Sequence, residues 1–399
     1  MFGLSWPDML RVLTLSTLFP DSTRPTFGPF VERQTLGLAA HPDVELRVMA
    51  PLGIPPLGRF HPRYRSLAQL PDVETWKGLA VYRTSFGHIP GVRGAWDARA
   101  LARALRRPLK GIREQFRFDI IDAQFFWPDG PAAVVLGAEL GVPVSIKARG
   151  ADIHYWGSNP ATAAQISAAG KAADGMLAVS AAMKKDMMAL GMPENRIAVH
   201  YTGIDKAVFR VRDRMAAKAA LAIRGPLIVS VGALIERKGQ AFVIDALPAL
   251  PDATLVLIGK GEDEDVLKAR AQALGVAERV RFMGALPQTV IADWLAAADV
   301  MALPSASEGL ANAWVEALAS GTPVVTCDVG GASELIDRPE AGCLVTRDAE
   351  QIGSAITGLL ASPPGREAVA VAVDRFSWEA NTASLYAHLS DLVQRSGRT

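Results

Sequence analysis

The sequence predicts an α/β protein built from two doubly wound, Rossmann-like domains that face a cleft. Short apolar runs rich in β-branched residues alternate with helical stretches along the whole chain, which is the mark of parallel βα units. That pattern restarts after about residue 205. At 399 residues the chain also exceeds what one hydrophobic core usually holds.

The strands of the first half are "RVLTLST", "VELRVMAP", "LAVYRTS", "FDIIDAQFF", "PVSIKAR", "GMLAVS" and "IAVHYTG". Those of the second are "PLIVSVGAL", "ATLVLIGKG", "VRFMGAL", "VMALPS", "PVVTCDVGG" and "GCLVTR". Between the sets, "DKAVFRVRDRMAAKAALAIRG" is charged and strand-poor, so the junction is expected there. Residues 1–205 then form one domain and 206–399 the other, with the last helix, about 378–395, expected to pack back on the first. Doubly wound sheets bind ligands outside the carboxyl ends of their strands, so the chemistry belongs in loops that follow strands.

Half of the residues are hydrophobic and 21% are charged, a balance that excludes disorder. The apolar runs stop short of the roughly 18 residues that a spanning helix needs. The start, "MFGLSWPDMLRVLTLSTLFP", lacks a basic head and puts Arg11 directly before its short apolar run, so a secretory signal is not expected. Cys327 and Cys343 are the only cysteines, consistent with a cytoplasmic protein and too few for a disulfide framework or a cysteine-rich zinc site.

A net charge of +1 argues against a nucleic-acid binder. The halves differ, however. Residues 1–205 hold 23 Lys and Arg against 18 Asp and Glu, while 206–399 hold 19 against 23. The basic excess gathers in "ARALARALRRPLKGIREQFRFD", from Arg99 to Arg117. That helix is either a solvated face or a surface for an anionic lipid or acceptor, which makes peripheral contact with a membrane an expected partnership.

In "PSASEGLANAWVEALASGTPVV", from Pro304 to Val325, a strand ends in a loop and a helix begins near Ala311. Free N–H groups and the positive end of the helix dipole form a site for phosphate there, and Gly309 lets a ligand approach the backbone. Glu316 is the only charge on a helix that reads as apolar nearly all round, so its carboxylate needs a partner. Glu308 stands on the loop side and Glu316 further along the helix. A nucleotide sugar has the same layout of sugar, diphosphate and ribose. Lys238 and Arg237, in "GALIERKGQ", lie at a helix start where the dipole disfavours cations, unless an anion such as a diphosphate is bound. No clustered carboxylates suggest a metal, and no cofactor is expected beyond a nucleotide sugar as co-substrate.

The stretch from Pro304 to Val325 resembles the signature of two glutamates separated by seven residues in retaining glycosyltransferases of the GT-B fold, family 4. "VSAAMKKDMMALGMPENRIAVHYTGIDKAVF", "GALIERKGQ", "LIGKGED", "VRFMGALP" and "GGASELI" occur in the family's order, so the resemblance covers nearly the whole chain. It implies that Lys238 contacts the diphosphate, Glu308 the transferred sugar and Glu316 the ribose. It further implies that the amides of Leu310, Ala311 and Asn312 hold sugar and phosphate, and that the loop from Gly284 to Pro287, with Leu286, faces the base. The family's Gly-Arg-Leu is here Gly232, Ala233, Leu234, so Arg237 is the candidate to supply the second cation.

In the first half, "FPDSTRPTFGPFVERQ" is similar to the family's glycine loop, in a variant with Gly-x-Phe-Val-x-x-Gln from Gly28 to Gln34. "KARGADIHYWG" stands where the family has His-Gly-x-Asp, with Arg149 in the His position, Asp152 as a catalytic carboxylate and His154 as a further acceptor-side candidate. The activity implied is a metal-independent retaining transfer of a hexose from a UDP- or GDP-sugar to a glycan or lipid-linked acceptor. A nucleotide-sugar epimerase or phosphorylase on the same fold is the alternative, and a non-catalytic two-lobed sugar-binding protein is another.

Overall fold

The structure is a computed structural model that describes residues 9–25, 27–89 and 94–397, apart from the side chain of Arg63. The start of the chain, on which the signal-peptide expectation rests, and Thr26 of the glycine loop lie outside the described residues. The chain divides into two compact units, Met1–Tyr201 with Trp378–Thr399, and Thr202–Ser377.

The first unit contains β1 (Leu10–Leu15), β2 (Val44–Met49), β3 (Leu52–Ile54), β4 (Val73–Trp76), β5 (Leu79–Tyr82), β6 (Ser85–Gly87), β7 (Ile120–Ala123), β8 (Val144–Ala148), β9 (Gly175–Ala178) and β10 (Ile197–Val199). Eight of these form one sheet in the order β10-β9-β8-β7-β1-β2-β5-β4, and β3 pairs with β6. All neighbours in the large sheet are parallel except β4, which closes a hairpin antiparallel to β5. Every residue of β7, β8 and β9 is buried, as expected for parallel strands covered on both faces. The short strands β3, β4 and β6 were not legible in the sequence, because three or four residues carry too little alternation to stand out.

The last helix, Trp378–Arg395, belongs to this first unit. Its Leu385, Leu389, Leu392 and Val393 join the core formed by Val12, Val31, Leu38, Val44 and Ile120. Polar contacts fix its register. Tyr386 stacks on His41 with ring centroids 3.9 Å apart, and Ser145 Oγ lies 3.0 Å from His388 Nε2. Burial pushes the His388 imidazole down to about 4, so it stays neutral in this packing.

The second unit contains β11 (Leu227–Val231), β12 (Thr254–Ile258), β13 (Val280–Phe282), β14 (Val300–Ala302), β15 (Val324–Cys327) and β16 (Gly342–Val345). They form one parallel sheet in the order β13-β12-β11-β14-β15-β16, the doubly wound Rossmann order. Its core combines Ile228, Leu255 and Leu257 with Val243, Ile244, Ile352 and Ile356 of the covering helices. In each sheet the chain crosses once to the other side of its first strand, between β1 and β7 in the first unit and between β11 and β14 in the second. Those two points are where a ligand site is expected.

Candidate active site

In the second unit the loops after β11 and β14 flank the switch point, and the structure joins them. The N–H of Ala306 donates to the Arg237 carbonyl at 2.8 Å. Lys238 Nζ lies 2.5 Å from Glu308 Oε1, with both side chains largely buried. Arg237 reaches the same oxygen at 3.6 Å, donates to the Ser307 carbonyl, and keeps 45% of its side chain exposed. The three charged residues picked out in these loops therefore meet. Gly232 lies beside the methylenes of Lys238, and Ala233, at the family's arginine position, is exposed.

Beyond Glu308 the chain enters the helix Asn312–Ala319 through Ala311, an N-cap residue without a side-chain cap. The opening N–H groups of a helix have no intrahelical acceptors. This end lies three residues beyond Glu308 in the chain. Leu310 and Ala311 are buried, and the Gly309 carbonyl accepts from the Gly331 N–H at 2.8 Å. The loop carrying Leu286 follows β13, and Gly284 accepts from the Gly259 N–H at 2.8 Å. From β14 to β13 is three strand spacings, about 14 Å. That length suits an extended nucleoside diphosphate along the sheet edge.

The structure corrects one premise about Glu316. The helix is not apolar all round: Trp314, Val315, Ala317, Leu318 and Ala319 are buried, whereas Asn312, Ala313 and Glu316 form a partly exposed stripe. Positions 312 and 313 each share a face with 316, four and three residues away. Alanine-rich composition hid this face from a hydropathy reading. Glu316 is thus only partly buried, and it shares its stripe with the helix N-terminus.

In the first unit Gly28 has φ 61°, and a Cβ there would lie 1.8 Å from the Leu18 carbonyl oxygen. Only glycine fits this turn into the helix Pro29–Ala39. The structure therefore gives Gly28 a backbone reason, and it lies in the loop after β1 at this unit's switch point.

Asp152 lies in the segment that follows β8. Its carboxylate is wholly buried and accepts from the N–H groups of Phe126 at 3.0 Å, Arg149 at 3.0 Å and Gly150 at 2.8 Å. Those bonds tie the β8 loop to the β7 loop, and burial raises the Asp152 carboxyl above its ordinary value. His154 pairs with Asp186 of the neighbouring helix, Nε2 to Oδ2 2.9 Å. Arg149 turns inward: its Nε donates to the Gln124 carbonyl at 2.7 Å, its Nη2 donates to the Gln124 side chain, and its guanidinium lies over Phe30.

Arg149 is the outer member of a buried polar network that the sequence reading missed. Lys147 is 1% exposed and donates to Gln34 Oε1 at 2.7 Å, with His200 Nδ1 at 2.5 Å. His200 Nε2 lies 2.9 Å from the Asn381 carbonyl, which assigns the proton to Nε2 and leaves Nδ1 to accept. Gln124 contacts Gln34, Arg149 and Asp122. Burial drives Lys147 well below the ordinary lysine value and lifts Asp122 to about 6. Asp129, in the helix after β7, accepts from the Thr17 N–H at 3.0 Å, and burial lifts it to about 7. A lysine in the middle of the apolar run "PVSIKAR" was the available signal, because a strand buried on both faces has no exit for an ammonium group.

The basic helix spans Asp97–Gln115 and packs through Ala98, Leu101, Ala102, Leu105, Leu109 and Ile112. Arg99, Arg103, Arg106, Arg107 and Lys110 are exposed. Arg106 forms a forked pair with Glu139, with bonds of 2.7 to 3.0 Å, so part of its charge is answered within the protein. No helix among the described residues is long and apolar enough to cross a membrane, and no group of three or more His, Cys, Asp or Glu among them could hold a metal ion.

Comparison with known proteins agrees with this architecture. A family model described as glycosyl transferases group 1 matches residues 225–362, and one described as glycosyltransferase family 4 matches residues 47–208. A Bacillus subtilis glycosyltransferase assigned to teichuronic acid biosynthesis is 28% identical over 365 residues, 87% of this chain and 88% of its own. The D-inositol 3-phosphate glycosyltransferase of Mycobacterium marinum is 36% identical over 206 residues, 48% of this chain and 44% of its own. Among solved structures, Anabaena HepE in complex with UDP has a TM-score of 0.74 at 19% identity, covering 96% of this chain and all of that one. The sucrose-phosphate synthase of Thermosynechococcus elongatus reaches 0.77 at 19% identity, covering 97% and 100%. These structures share the GT-B architecture. The chain belongs to the group 1, family 4 glycosyltransferases.

Proposed function

We propose that the protein is a retaining, metal-independent hexosyltransferase that moves a sugar from a UDP- or GDP-sugar to a glycan or lipid-linked acceptor of a cell-surface polysaccharide. The observation that carries this reading is the meeting of Lys238, Arg237 and Glu308 beside an uncapped helix N-terminus at a switch point. Two cations and a set of free amides suit a diphosphate, and Lys238 can take the charge of the leaving group that a metal would otherwise carry. Glu308, freed from Lys238 when the donor binds, accepts hydrogen bonds from sugar hydroxyls. Arg237 stands in for the arginine missing at Ala233. Retention rests on the resemblance to the two-glutamate signature. The acceptor class rests on the relatives named for teichuronic acid and inositol phosphate substrates. Hydrolysis of one donor in a panel of UDP- and GDP-hexoses would support transfer chemistry, whereas binding without turnover across the panel would favour the two-lobed sugar-binding protein.

Glu316, on the stripe that leads from the helix N-terminus, is assigned to the ribose hydroxyls. Glu316→Ala should weaken donor binding by about 1 to 3 kcal/mol, the worth of hydrogen bonds to a charged group. Titration calorimetry of the folded variant checks this, and an unchanged dissociation constant would remove the assignment.

We further place the protein at the anionic cytoplasmic leaflet, bound peripherally through the exposed face of the helix Asp97–Gln115. Attraction of about 1 kcal/mol per basic residue near such a surface gives reversible, salt-sensitive association. The protein should sediment with anionic vesicles at low salt and not with neutral ones. Reversing Arg103, Arg106, Arg107 and Lys110 to Glu should abolish sedimentation while donor hydrolysis continues; normal sedimentation of that variant would make the helix a solvated face.

A further inference from the structure

Beside the basic face lies a groove of about 600 Å³. Three helices line it: Ala98 and Ala102 come from Asp97–Gln115, Pro131, Val134 and Val135 from Asp129–Leu140, and Ala168 and Ala172 from Ala163–Ala172. Each set repeats at three- or four-residue spacing, so each helix turns an apolar stripe to the same opening. Ordinarily such stripes close on one another. Here small side chains leave a trough, and Val135 remains 42% exposed.

One wall of the trough is cationic. Arg99, Arg103 and Arg106 line it at positions one turn apart along their helix. Arg106 is engaged by Glu139, and Arg99 lies 5.7 Å from the ring of Trp96. Arg103 has no anionic partner among the described residues.

We propose that this groove binds a membrane-borne anionic lipid, with one chain along the alanine and valine floor and the headgroup on Arg99 and Arg103. The charge on the rim selects this occupant: an apolar partner would leave Arg103 facing it unpaired, and a soluble anion would leave the floor wet. The volume falls within the range of small-molecule sites. This rests on the reading that the basic face meets an anionic membrane, and adds to it a stoichiometric site that coulombic attraction alone does not create.

The test uses the full chain and lysophosphatidylglycerols of increasing chain length, below their micelle concentrations, by titration calorimetry. One molecule should bind per chain, and affinity should rise by up to about fourfold per added methylene until the groove is filled. Lysophosphatidylcholine of equal length should bind at least tenfold more weakly. Ala168→Trp, at an exposed position on the groove wall, should abolish lysolipid binding without changing donor hydrolysis, and Ala172→Leu should reduce it. Equal binding of the two headgroups, affinity independent of chain length, or unaltered binding by a folded Ala168→Trp protein would overturn the groove. A monomer–dimer equilibrium shifted by Ala168→Trp would instead assign the face to a second copy of the chain and overturn it likewise. Sedimentation with anionic vesicles that persists when lysolipid binding is absent would leave the surface reading standing without the groove.

Discussion

Replacing Lys238 with alanine should lower the maximal turnover of donor by two to three orders of magnitude, about the effect of deleting one group that stabilises charge developing in a transition state. In the free protein Lys238 is 2.5 Å from Glu308 and largely buried, so its ammonium is already desolvated and aimed at the space between the β11 and β14 loops. A cation held this way interacts more strongly with the leaving diphosphate than with a ground-state donor whose charge is still shared with the sugar. The loss should therefore appear in kcat more than in KM. Folding should survive, because Arg237 remains 3.6 Å from the Glu308 carboxylate. Steady-state kinetics with saturating donor, together with circular dichroism of the variant, checks both parts. Added Mg²⁺ should not restore the variant, and a chelator should leave the unmutated enzyme fully active. A folded Lys238→Ala protein with unchanged kcat would remove the leaving-group role.

The parts of this site that the sequence revealed share a physical cause. Lys238, Glu308 and the uncapped helix start are local: each sits in a few residues where a strand passes into a helix, and a charge at a dipole end or a glycine beside it stands out from its neighbours. The thirteen strands read from the sequence are all present for the same reason, since parallel strands are continuous apolar runs. What escaped depends on contacts between distant residues. The amides of Phe126, Arg149 and Gly150 that surround Asp152 are visible only in three dimensions. The Lys147–Gln34–Gln124–His200 network joins four segments far apart in the chain, and only Lys147 carried a local signal. The partial exposure of Glu316 was missed differently: Asn312 and Glu316, four residues apart, mark a polar face, but the alanines around them let the helix pass as apolar nearly all round.

Gly330 supplies the second large effect, and it acts on Glu308 without touching a substrate. The loop after β15 passes under the Glu308–Gly309 backbone, where Gly331 donates to the Gly309 carbonyl at 2.8 Å. Gly330 has φ 54°, and a Cβ at this position would lie 2.1 Å from the Glu308 carbonyl oxygen and 2.7 Å from that of Gly309. Gly330→Ala thus imposes two costs. The left-handed backbone costs about 1 to 2 kcal/mol for a residue with a Cβ, and the Glu308 loop must move by about an ångström to relieve the contact. Misplacement of that size in a catalytic constellation can cost about 100-fold in rate. Gly78 separates the two effects, since its φ is 88° but a Cβ there meets nothing within 4 Å. Gly78→Ala should lower stability by a similar 1 to 2 kcal/mol and leave turnover unchanged. Gly330→Ala should lower stability at least as much and reduce turnover by about two orders of magnitude. Denaturant unfolding and donor turnover measured on both variants decide the matter. If Gly330→Ala were destabilised like Gly78→Ala yet turned over donor at the original rate, the Glu308 loop would not be the element that positions the sugar.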